Sequence, residues 1–139
     1  MNNSKRIYSR SFIIPAEVID ENGHVNNVAY VQWMQDIAVE HYSSIGGVSI
    51  QGPGATWVVR EHRIEYFIPT FAGEEIEIKT WVENVRRVRS LRMYEFVRKS
   101  DGKVLVKGET DWVFVDAKTG RPLPIPGTIA GVFGLSQEE

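Results

Sequence analysis

Asp20–Tyr42 reads DENGHVNNVAYVQWMQDIAVEHY, and its two halves differ in kind. The first is a polar cluster of Asp20, Asn22, His24, Asn26 and Asn27. The second is the longest helical pattern in the chain. From Val28 to Val39 apolar side chains fall almost all round, and Gln32, Asp36 and Glu40, spaced by four, mark a narrow polar stripe. A helix apolar over most of its circumference has to be covered by other structure. The polar cluster therefore stands where a buried helix begins, beside unpaired backbone N–H groups and the positive end of the helix dipole. Asn26 or Asn27 is the expected N-cap. Gly46-Gly47 suits a left-handed stop after Ser44.

Upstream of this stretch, Ile7–Ile14 reads as a strand closed by Pro15, with loop from Pro15 to Gly23. Downstream, Gly47–Ala55 is rich in Gly and Pro and reads as a flexible connection. Thr56–Pro69 is an expected strand with Val58, Ile64, Tyr66 and Ile68 on one face. Phe71-Ala72-Gly73 turns the chain into Glu74–Val88, which alternates through Ile76, Ile78 and Val82. Leu91–Lys99 and Lys103–Asp116 follow, joined at Ser100-Asp101-Gly102, a hairpin signal. Val104, Val106, Trp112 and Phe114 mark one face of the last strand. The Gly120, Pro122, Pro124 and Pro126 punctuation predicts an irregular tail. Short connections favour antiparallel neighbours, and one face of such a sheet must cover the helix. The pattern predicts an α+β fold, a five-stranded antiparallel sheet wrapped around one long central helix.

The 139 residues fit one domain, 1–139, large enough to fold without staples. There is no cysteine, hence no disulfide frame and no thiolate nucleophile or metal ligand. A net charge of −2 does not suggest bulk nucleic-acid binding. The first residues, MNNSKRIYSRSFIIPAE, carry no long apolar run, so neither a secretory leader nor a membrane span is expected. A cytoplasmic location is the default expectation.

Within the polar cluster, Asp20 is the first candidate for chemistry. A carboxylate near a helix N-terminus is favoured in its charged form. It could attack a carbonyl carbon or activate a water; it could equally be a loop residue that accepts backbone hydrogen bonds. Asn22 and His24 could converge on the same point, Asn22 positioning a water or carbonyl oxygen and His24 passing a proton. Both could also simply shape the loop. Asn26 and Asn27 read as caps. The amides near Asn27 and Val28 are donors suited to an oxyanion. Tyr30, one turn in, belongs to the core or to the site's lining. The basic run Arg86, Arg87, Arg89 and Arg92 surrounds a turn, as solvated charge or as a phosphate clamp. No metal-ligand spacing stands out among the histidines and acids.

D-x-x-G-H-V-N-N-x-x-Y, here Asp20, Gly23, His24, Val25, Asn26, Asn27 and Tyr30, resembles the signature of hotdog-fold acyl-CoA thioesterases of the 4-hydroxybenzoyl-CoA thioesterase-like family. The variant D-x-N-x-H, Asp20, Asn22 and His24, is similar to acyl-ACP thioesterases. Many relatives carry D-x-D, whereas Val18 stands at the first of those positions here. The acid that acyl-ACP enzymes supply from a later strand has no counterpart, since Pro69 and Thr70 fall near its place. The resemblance implies a hotdog fold that pairs into homodimers or homotetramers. It implies hydrolysis of an acyl-CoA without metal or organic cofactor. Asp20, Asn22 and His24 would be catalytic; Asn26, Asn27, Val28 and Tyr30 would hold the acyl end; Arg87, Arg89 and Ser90 would hold the CoA phosphates. An acyl-ACP thioesterase and a non-catalytic acyl-CoA-binding module are the alternatives.

Overall fold

The computed structural model describes residues 6–138. Strand β1 (Tyr8–Ile13) runs through a 3₁₀ turn at Ala16–Val18 to helix α1 (Asn27–Ser44), which is followed by a short helix α2 (Gly47–Gln51). Four strands come next: β2 (Ala55–Tyr66), β3 (Glu75–Arg86), β4 (Arg89–Arg98) and β5 (Val104–Asp116). A short helix α3 (Gly127–Val132) and a two-residue strand β6 (Gln137–Glu138) close the described chain. The sheet order is β1-β3-β4-β5-β2, all antiparallel, with β6 added in parallel beside the end of β3. The expected antiparallel sheet is therefore present. The Gly/Pro-rich connection and the tail, expected to be irregular, each contain a short helix.

Helix α1 lies against the inner face of this sheet. Met34, Ile37 and Ala38 are buried with Ile76, Ile78, Tyr94, Phe96 and Val106 in one core cluster. The close approach needs Gly108: a Cβ there would lie 2.9 Å from the Met34 sulfur. The helix is not covered all round, however. Val28 is 77% and Val39 57% exposed, together with Gln32, Gln35 and Asp36. Periodicity reports which residues are apolar, not how far one protomer's sheet can curl around them. A second core cluster joins Val82, Val85 and Phe114 to Ile125, Ile129 and Phe133, so the tail is packed against the sheet.

Strand β2 departs from the expected alternation for a specific reason. Its pairing with β5 slips between Val59 and Glu61. One extra residue moves every side chain beyond it to the other face. Ala55 and Trp57 turn partly inward before the bulge, His62 and Ile64 after it, and Val58 is 44% exposed. Val58 and Ile64 thus do not share a face as simple alternation predicted.

Gly47 is buried at the start of α2, where a Cβ would run into the Tyr42 ring. That ring is pinned, because its hydroxyl donates to Gln51 Oε1 at 2.6 Å and Gln51 Nε2 donates to the Ala55 carbonyl at 2.9 Å. Gly47→Ala should therefore destabilise the protein by about 1–3 kcal/mol, the usual range for overpacking. A urea unfolding curve at neutral pH would measure the loss.

Candidate active site

The polar cluster folds into a small hairpin ahead of α1. Ile19 and Val25 form an antiparallel bridge, the Asp20 N–H donates to the His24 carbonyl at 3.1 Å, and the Gly23 N–H donates to the Asp20 carbonyl at 3.0 Å. Gly23 has φ +84°, the left-handed position that three-residue hairpin loops give to glycine. Asp20 and His24 thereby become cross-strand neighbours. Asp20 is half-buried, and its Oδ1 accepts the Asn22 N–H at 2.9 Å. His24 is half-buried, its ring edge-on to Phe71 at 6.2 Å. The Asn22 side chain is exposed.

This hairpin is bolted to the helix start. Asn26, the N-cap, donates to the Val18 carbonyl through its backbone at 2.9 Å and its side chain at 2.8 Å, while its Oδ1 accepts the Ala29 N–H at 2.9 Å. The cap is thus Asn26 rather than Asn27. Asn27 and Val28 are exposed, and their amides have no acceptor among the described residues. The helix mouth is open, as an oxyanion site requires. Tyr30 is buried and belongs to the packing beneath it: its hydroxyl donates to Thr70 Oγ1 at 2.9 Å, and the Thr70 carbonyl accepts the Val25 N–H at 2.9 Å. Tyr30→Phe would strip the buried Thr70 hydroxyl of its donor. A loss of about 1–2 kcal/mol is expected, read as a lower urea midpoint with an unchanged slope.

The basic turn does not form one cluster. Adjacent strand residues point to opposite faces. Arg89 lies on the outer face, where its Nη2 donates to Asp111 Oδ2 at 2.7 Å; Arg60 shares that carboxylate at 3.1 Å. Ser90 is buried on the inner face, and its hydroxyl donates to the Asn84 carbonyl at 3.1 Å. Arg87 is exposed at the turn itself, with φ +29°. Arg87, Arg89 and Ser90 therefore present three separate directions.

Residues 14–133 match the family model described as the thioesterase-like superfamily. The chain belongs to the thioesterase-like superfamily. A Caenorhabditis elegans protein named as a putative esterase is 34% identical over 74 residues, 53% of this chain and 43% of that protein. The chain thus spans less than half the length of the curated relative it matches. Among solved structures, the 1,4-dihydroxy-2-naphthoyl-CoA thioesterase of Synechocystis is 14% identical at a TM-score of 0.80, covering 92% of this chain and 96% of that one. An acyl-ACP thioesterase of Bacteroides thetaiotaomicron is 25% identical at a TM-score of 0.79, covering 84% of this chain and 49% of that one. These likenesses establish the hotdog-like fold that the motif led one to expect.

This thioesterase-like chain also has a cavity elsewhere. About 330 Å³ opens between the C-terminal half of α1, α2 and the inner face of the sheet, lined by residues that include Tyr42, Trp57, Ser90, Arg92, Trp112 and Phe133. Asp20, Asn22 and His24 do not line it. Arg92 was legible only as one member of the basic run. Alternation from Arg89 was the available signal, since it sends Arg92 inward with Ser90. No helix of the described residues is long and apolar enough to cross a membrane.

Proposed function

We propose that the chain hydrolyses an acyl-CoA thioester to a free acid and CoA. Asp20 takes a proton from a water that attacks the carbonyl carbon, or attacks that carbon itself to give an anhydride that water then opens; the amides of Asn27 and Val28 hold the oxyanion; the C–S bond breaks and the departing thiolate takes a proton from His24, which the proton released by the attacking water restores. Asn22 aligns the reactants. The observation that carries this reading is the hairpin. Cross-strand neighbours project to the same side, which would set the carboxylate beside the imidazole. The Asn26–Val18 hydrogen bonds then tie them to a helix end with two spare amides.

The acyl group would run along the exposed apolar side of α1, which a second copy of the chain would cover. Strand β2 supports such pairing, since among the described residues β5 is its only neighbour in the sheet and Val58 and Val59 are exposed on it. Arg87, at the open turn, would meet the CoA phosphates, whereas Arg89 would first have to leave Asp111.

Purified protein should release thiol from a panel of acyl-CoAs. No release from any thioester would sink the reading. An acyl carrier protein as the thiol carrier is the second reading, favoured by Asn22 between Asp20 and His24 and by the likeness to an acyl-ACP thioesterase. Rates with the same acyl group on each carrier would separate the two.

A further inference from the structure

The inner face of the sheet holds a positive charge with no negative partner among the described residues. In the strand register Val82 stands opposite Arg92 and Arg92 opposite Thr110; one step along, Ser90 stands opposite Trp112. Alternation turns Arg92 and Trp112 toward the helix, where both line the 330 Å³ cavity. Arg92 is only 4% exposed. Its Nη1 reaches His41 Nδ1 at 2.9 Å and Thr80 Oγ1 at 3.1 Å, both neutral, and its guanidinium lies 5.6 Å from the centre of the Phe133 ring. The Nε and Nη2 edge has no acceptor among the described residues, and no carboxylate of those residues pairs with Arg92.

Such a charge is costly. Burial of an arginine without a counter-ion loses hydration that hydrogen bonds to neutral groups do not restore. Burial accordingly pulls its pKa down to about 10. An apolar side chain of the same length would suit the packing of Val82, Ala38 and Phe133 better. The indole N–H groups of Trp57 and Trp112 are themselves buried, next to the Tyr42 and Tyr94 hydroxyls. A cavity with apolar walls and one unneutralised guanidinium edge is chemically complementary to a monoanion.

We propose that this cavity binds a small monocarboxylate, with Arg92 taking the carboxylate and the apolar walls taking a short aliphatic or single-ring body. A single guanidinium favours one negative charge over the two of a phosphate, and planar carboxylates match its fork. The volume lies at the small end of ligand sites. Such a carboxylate has two sources: a free acid, or the far end of an acyl group whose other end is the thioester. The first stands on the cavity alone; the second rests on the hydrolase reading above.

Hexanoate and benzoate, with hexanamide and benzamide as neutral counterparts, should be titrated into the protein. Calorimetry gives the affinity, and Trp57 and Trp112 give a fluorescence change. The acids should bind about 10- to 100-fold tighter than the amides, as a charge-assisted hydrogen bond implies. Arg92→Met should erase that difference. Asp20→Asn should leave it intact, which separates this site from thioester cleavage. Val39→Trp, at an exposed position on the rim, should block both acid and amide without disturbing the core.

In the second arm, glutaryl-CoA is compared with valeryl-CoA. A preference for the glutaryl group that vanishes in Arg92→Met identifies the acyl group as the source. Acid binding without such a preference identifies a free acid. Equal binding of acids and amides together with equal rates on the two thioesters overturns the proposal, as does undiminished acid binding by Arg92→Met. If Arg92→Met fails to fold, undiminished acid binding by Val39→Trp overturns it instead.

Discussion

Asp20→Asn should cut thioester hydrolysis by about 10²–10⁴-fold, the range that one positioned acid–base group supplies. The substitution keeps the size and planarity of the side chain. Asparagine Oδ1 can still accept the Asn22 N–H that now reaches Asp20 Oδ1 at 2.9 Å, so the hairpin should survive. What disappears is the negative charge, and with it both modes of action: an amide neither takes a proton from water at neutral pH nor forms an anhydride with the acyl carbon. The Asn27 and Val28 amides, which would hold the substrate on this reading, are untouched, so KM should change far less than kcat. A thiol-release assay on the best acyl-CoA, run beside a urea curve to confirm equal stability, tests this. Wild-type rates in the variant would remove Asp20 from the mechanism and leave the helix mouth without a base.

Acid should unfold this protein through His41. The residue lies on α1, 3% exposed, with its ring stacked on Tyr8 at 4.9 Å and edge-on to Phe133 at 5.3 Å. Arg92 Nη1 can only donate, so His41 Nδ1 accepts and the imidazole carries its proton on Nε2. A second proton would place a buried cation against a buried cation. Burial first, and the Arg92 charge second, lower the pKa from 6.5 to about 4. Across that interval the unfolded chain binds a proton that the folded chain refuses. The stability contributed by neutral His41 is therefore complete above about pH 6.5 and is lost as pH falls toward 4, amounting to about 3 kcal/mol for a shift of this size. Carboxylates titrate in the same range, so the measurement needs a reference. Urea midpoints at pH 7.5, 5 and 4 should fall less steeply in His41→Gln, which can accept from Arg92 without ever taking a proton. Parallel pH profiles for the two proteins would contradict this account.

Much of the fold was legible because short-range physics decides it. The run Asn27–Ser44 is helical because apolar residues recur at helical spacing behind an asparagine cap, and the helix stops before Gly46, at φ +76°. Strand β3 alternates cleanly because both faces of a central strand are committed, with Ile76, Ile78 and Val82 turned to the core. Gly102, at φ +73°, turns β4 into β5 as its neighbours predict. The Asn26 cap likewise stands where the polar run meets the apolar one, as expected, whereas the hairpin closed at Gly23 reads from the sequence only as loop. Each of these choices is made within a few residues, where backbone sterics and side-chain period are enough.

The rest depended on contacts between distant parts of the chain. Whether Val58 faces in or out turns on a bulge set by its pairing with β5, and a one-residue slip leaves no mark in the local pattern. The same holds for the basic run. By sequence Arg86, Arg87, Arg89 and Arg92 look alike, and the tertiary structure gives them different fates. Asp111, from β5, claims Arg89 on the outer face. His41, from α1, and Phe133, from the tail, enclose Arg92 on the inner face. Charge is a property of the residue, but the cost of holding it depends on which partners the fold brings near, and only the packed chain decides that.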